Sequence, residues 1–173
     1  MKLILSLFSF FVIATCSYAQ VKTFSTAVEY NDFIVAEQIK IGESIKSFIS
    51  IFTNSSDTTE IQEARKAIVS QVDSSINQLK LLASFKGDTA LKKNAIRLFS
   101  FYSGIAANEY KQLVWVIFDT KKNNGEKNIK QQEIVKKITD REAFYDKNFQ
   151  DAQKAFAVKH NIDLKENDFK INN

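Results

Sequence analysis

The chain has 173 residues, 45% hydrophobic and 25% charged, with a formal net charge of +4. That length suits one domain around a single core, and so mild a basic excess, with the charges interspersed, excludes a nucleic-acid footprint. Proline is absent, glycine occurs four times and cysteine once, which favours helix throughout and excludes a disulfide framework.

Residues 1–19 read as a secretory signal, with Lys2 as a short basic region, an apolar run from Leu3 to Ala14, and small residues at Ser17 and Ala19. Cleavage is expected after Ala19, leaving residues 20–160 as the folded domain and 161–173 as a tail. The run is too short for a good membrane span. A competing reading lipidates Cys16, because Ile13-Ala14-Thr15-Cys16 has the outline of a lipobox, although Thr15 stands where a smaller residue is usual. Either way the expected location is exported, in the periplasm or at the cell surface. Without Cys16 the mature chain has no thiol for a nucleophile or a metal.

The first predicted helix spans Phe24 to Phe52. Phe24, Asn31, Gln38, Ile45 and Phe52 recur every seven residues, with Ala27/Val28, Ile34/Val35, Ile41/Gly42 and Phe48/Ile49 between them. Two positions on this core stripe are amides, so Asn31 and Gln38 predict a polar layer inside the bundle. A polar loop follows at 53–57, where Asp57 and Glu60 have the spacing of a capping box. The second helix carries Ile61, Ala64, Ile68, Val72, Ile76, Leu79 and Leu82 and is expected to close near Phe85, with Gly87 as C-terminal cap and Asp88 as the next N-cap.

The third helix, Thr89 to Asp119, is the most apolar. Its stripe of Leu91, Ala95, Leu98, Tyr102, Ile105, Ala106, Glu109, Leu113 and Val116 is widened around the cylinder by Phe101, Tyr110, Trp115 and Phe118. The excess predicts either a helix with several neighbours or an exposed aromatic patch. Phe101, Trp115 and Phe118 are accordingly the expected contact surface for an envelope partner or for a second copy in a homodimer. After a charged Asn-Asn-Gly linker at 121–127, the fourth helix runs from Ile129 to His160 on Ile134, Ile138, Tyr145, Phe149, Ala152 and Phe156. Four such helices with short connections predict an all-α, up-down-up-down four-helix bundle.

The segment Ala27 to Gln38, AVEYNDFIVAEQ, resembles the opening helix of small exported bacterial proteins of the leptospiral-type surface protein family. The matching residues are Tyr30-Asn31-Asp32, Val35 and Gln38. The resemblance implies an envelope location and brings no activity, ligand or catalytic residue.

Chemistry finds little purchase in this chain. A di-iron bundle needs Glu-x-x-His on two helices, and the single histidine, His160, reads as a surface residue or a partner of the helix dipole. Hydrolase elbows, phosphate loops and dinucleotide fingerprints are absent, so no catalytic residue, cofactor or metal is assigned. Two function classes remain. The first is a non-enzymatic envelope or surface protein. The second is a periplasmic module holding a small ligand or cation in a polar layer of Tyr30, Asn31, Gln38, Tyr102, Glu109 and Glu142. An enzyme using Glu109 and Glu142 as acid and base would need their pKa values split by environment. The basic cluster Lys121, Lys122, Lys127, Lys130, Lys136, Lys137 and Arg141 reads either as a solvated helix face or as a surface for anionic headgroups or glycans.

Overall fold

Thr26 starts the first helix: its hydroxyl accepts from the Glu29 amide while the Glu29 carboxylate accepts from the Thr26 amide, satisfying two end donors reciprocally. Helix α1 then runs Ala27–Asn54, followed by α2 Thr58–Leu81, α3 Ala90–Ala107, α4 Glu109–Phe118 and α5 Asn124–His160. The computed structural model describes residues 21–164. The predicted signal segment, with Cys16, and the tail beyond Leu164 lie outside the described residues. What is described is all-α: a four-helix bundle whose third member is broken into α3 and α4. None of the described helices is long and apolar enough to cross a membrane.

Local signals set most boundaries. Asp57 caps α2 by accepting from the Thr59 and Glu60 amides, but the Glu60 carboxylate turns to the Ser55 hydroxyl at 2.6 Å, so the predicted box is half formed. Helix α2 stops at Leu81, short of Phe85, because the chain leading into α1 pairs with its end. The Lys22 amide donates to the Leu81 carbonyl and the Lys22 carbonyl accepts from Ala83, both at 2.8 Å. Gly87 then takes φ +78° in the turn before Asp88, a conformation that costs a residue without Cβ little. Asn123 and Glu126 form a second reciprocal cap, so α5 begins five residues earlier than the linker chemistry suggested.

The predicted stripes meet in one core. Ile34, Ile41, Ile45 and Phe48 of α1 join Ile61, Ile68, Val72 and Leu79 of α2, Leu91, Leu98, Phe99 and Ile105 of α3, and Ile134, Ile138, Phe149 and Phe156 of α5. Helices α1 and α2, α2 and α3, and α3 and α5 share the main interfaces, whereas α1 and α5 meet sparingly. Helix α4 packs on both α2 and α5.

The break in the third helix is the main departure from expectation. At Asn108 the backbone reaches φ −114°, ψ −69°. Its side-chain amide donates to the Gly104 carbonyl at 2.9 Å, the same carbonyl that accepts the Asn108 backbone N–H at 3.0 Å, which is how Asn competes with a regular helix. Arg65 of α2 reaches across and donates from Nη1 to the Ala106 carbonyl at 2.8 Å, with Nε bound to Gln62 at 2.7 Å. Arg65 is only 9% exposed, so its charge is placed there at a desolvation cost that the carbonyl bond offsets. We predict that Arg65→Met, which keeps the apolar stem, lowers unfolding free energy by about 1.5–3 kcal/mol in a urea titration. An unchanged midpoint at unchanged slope would mean that the break stands without this bond.

Candidate functional site

The six residues expected to share a polar layer are dispersed along the bundle as separate pairs. Asn31 is buried and its side-chain oxygen accepts from Gln153 of α5 at 2.9 Å. Tyr102 donates to Glu142 at 3.3 Å. Glu109 is 3% exposed and its Oε1 takes both Lys137 and Arg141 of α5 at 2.9 Å. Although Arg141 and Glu142 are consecutive, successive helix residues diverge by about 100°, so the two pairs face different ways. Eleven residues, about 16 Å of helix, separate Glu142 from Gln153. Gln38 is half-buried and has no side-chain partner among the described residues.

In place of Gln38, α1 buries Glu37, 2% exposed, which accepts from the Ser75 hydroxyl of α2 at 2.8 Å and from Lys40 at 2.6 Å. Its spacing of three from Ile34 and four from Ile41 was the available signal. Charged side chains are rarely placed inside by pattern alone.

Glu142 is the one carboxylate of the predicted set without a basic partner among the described residues. Burial pushes its carboxyl above the usual range; the Tyr102 hydrogen bond opposes that, and the nearby Asp146 charge adds to it. Burial likewise raises Asp146, against a hydrogen bond from Gln150 at 2.6 Å. The same surroundings push the Tyr110 hydroxyl up to about 12, through burial and then the Glu142 charge. Glu109 and Glu142 do not share a site: Glu109 is bound by Lys137 and Arg141, and Glu142 by Tyr102.

Tyr30 lies next to the Asn31–Gln153 pair, at the end of the bundle away from Glu109 and Glu142. It is 1% exposed, and its hydroxyl has no hydrogen-bond partner among the described residues. Burial, then the Asp88 charge, push that hydroxyl up to about 12. The ring stacks 5.3 Å from Phe156, which lies 4.4 Å from the His160 ring. His160 is therefore not a surface residue. Its side chain is 8% exposed, edge-on to Phe85 at 5.0 Å, with Nε2 3.3 Å from Asp88. Lys159 reaches the same Asp88 oxygen at 2.9 Å, and Ala90 donates to the other. This cluster ties the end of α5 to the α2–α3 connection. Among the described residues no group of three or more His, Asp or Glu side chains is gathered to hold a metal ion.

The predicted aromatic surface divides as well. Phe101 is 5% exposed and stacks on Tyr145 at 4.6 Å, with the Arg141 guanidinium 5.2 Å from its ring, so it belongs to the α3–α5 interface and not to the surface. Phe118 is half-buried against the core. Trp115 alone of the three is open, 68% exposed on α4. Ile129 on the first turns of α5 is 62% exposed. Comparison with family models, with curated proteins and with solved structures finds no match.

Two predictions separate structural from spare polarity. Glu37→Ala removes the acceptor of the buried Ser75 hydroxyl, leaving it only the bond from Gln71, and should cost about 1–3 kcal/mol in urea unfolding, whereas Gln38→Leu should stay within about 0.5 kcal/mol; equal costs would return Gln38 to the interior. The raised carboxyls give a signed pH dependence. The folded state holds protons on Glu142 and Asp146 at a pH where the unfolded chain has lost them. Their contribution to stability is thus full below the ordinary carboxylate range and is lost as pH rises through the raised folded values. Denaturant midpoints between about pH 4.5 and pH 7 should show this loss, and Glu142→Gln/Asp146→Asn should flatten it. A variant as steep as the wild type would assign the slope to other groups.

Proposed function

We propose that the protein is an exported, non-enzymatic envelope or surface protein that works through contacts made at the α4–α5 end of the bundle. The observation that carries this reading is Trp115. A tryptophan normally contributes a large apolar area to a core or an interface, and here it is left mostly in water on a helix whose other face is packed. The signal-like residues 1–19 and the resemblance of Ala27 to Gln38 support the exported location. The alternative, an internal binding module, has less to rest on, because its six residues are already divided among local pairs or left outside any layer.

The chain contains a single tryptophan, which makes the reading directly measurable. We predict that purified protein carrying 5-fluorotryptophan shows a shifted or broadened fluorine resonance when mixed with unlabelled envelope from its own cells. Protein recovered from those cells should have a mass beginning at Gln20. A resonance unchanged by the envelope would end the reading.

A further inference from the structure

We propose that the exposed α4–α5 tip is a docking surface for an anionic lipid bilayer, an inference that rests on the contact reading above and names its partner. The tip is a helical hairpin. Helix α4 ends at Phe118, α5 begins at Asn124, and the Lys127 ammonium donates to the Ile117 carbonyl at 2.8 Å, holding the two helix ends together. Trp115 lies about 5 Å along α4 from that end and Ile129 about 8 Å along α5. Both are more than half exposed.

Charge complementarity selects the partner. From Glu109 to Arg141 the sequence has eight basic and five acidic residues, an excess of three. The acidic residues are all engaged. Asp119 holds Lys122, Glu133 holds Lys130, Asp140 holds Lys136, Glu109 holds Lys137 and Arg141, and Glu126 caps α5. Among the described residues the ammonium groups of Lys111, Lys121 and Lys127 form no ion pair: Lys121 meets Asp119 through its backbone amide, and Lys127 keeps its charge while donating to the Ile117 carbonyl. Lys111 and Trp115 are four residues apart on α4, hence on one face. Lys121 sits in the connection between the helices.

An interface with another protein wants a contiguous apolar centre of several hundred Å² per partner. Here the exposed large apolar side chains are Trp115, Ile129 and Val135, interleaved along the sequence with lysines. That is the arrangement a lipid headgroup region accepts: an indole at the boundary, an aliphatic anchor, and lysines that keep their charge at the phosphates while their stems lie over the acyl edge.

The test uses the intrinsic fluorescence of Trp115 and co-sedimentation with vesicles. With phosphatidylglycerol in phosphatidylcholine, the emission should move to shorter wavelength and the protein should sediment. With phosphatidylcholine alone it should do neither. Raising salt from about 0.1 M to about 1 M shrinks the screening length from about 10 Å to about 3 Å and should release it. Lys111→Glu/Lys121→Glu should weaken binding at least 25-fold, about fivefold for each lysine lost and more for reversal. Lys66→Glu/Lys154→Glu changes net charge equally on exposed faces of α2 and α5 away from the tip and should bind within about fivefold of wild type, the worth of one lysine. Trp115→Ala should sediment less while keeping its helical circular dichroism. Equal weakening by both charge pairs, or binding to neutral vesicles as strong as to anionic ones, would overturn the proposal. A response to native envelope without a response to anionic vesicles would overturn the lipid assignment and leave the contact reading standing; no response to either would remove both.

Discussion

The bond from Arg65 to the Ala106 carbonyl ties α2 to the point where the third rod of this bundle is broken. A helix broken in the interior leaves carbonyls without partners, and a bare buried carbonyl costs about as much as a lost hydrogen bond. The Gly104 carbonyl keeps the Asn108 backbone N–H and gains its side-chain amide, while α2 supplies a guanidinium for Ala106. Beyond the break, α4 packs on α2 and α5. Phe48 of α1 stacks on Tyr110 at 4.7 Å beside the break, and Leu113 and Val114 continue the core. The outward face of α4 then carries Lys111 and Trp115.

The polar residues part company along the rods. Tyr102 and Glu109 are seven residues apart, about 10 Å of helix, too far for one layer. Tyr102 stays with Glu142, while Glu109, the first residue of α4, draws Lys137 and Arg141 to itself. Two cations on one buried carboxylate are a sound solution to burial of a charge, since both cations keep their other donors in water. The result is one ion-pair cluster between α4 and α5, centred on Glu109. At the far end a different device operates. Asp88 gathers Lys159, His160 and the Ala90 amide, which hold its carboxyl below the usual range despite the opposing effect of burial. Together with the aromatic rings of Tyr30, Phe85 and Phe156 it closes that end of the bundle.

Much of the fold was legible in the chain. Period-three-and-four spacing found the four rods because a helix must bury one face, and Ile34, Ile41, Ile68, Leu98 and Phe149 lie where that spacing puts them. The Asp57 cap was readable for the same local reason, since it depends only on residues within one turn. Less of the site could be read. Asn31 is inside as its stripe demanded, but the amide stripe put Gln38 in the interior where Glu37 stands, one residue and about 100° away. Periodicity does not distinguish two neighbouring polar residues when the deciding partner, Ser75, is 38 residues distant.

The sequence by itself determined where the helical rods lie to within a turn or so, which face of each is apolar and how many rods must pack, because those follow from short-range sterics and the burial of apolar area. Tertiary structure alone decided that Phe101 is core and Trp115 surface, that His160 is enclosed, and that Arg65 caps a broken helix. Each of these depends on a partner from another rod, Tyr145 for Phe101, Asp88 for His160 and Ala106 for Arg65. The balance between desolvation and a distant bond is settled only when the rods are in place.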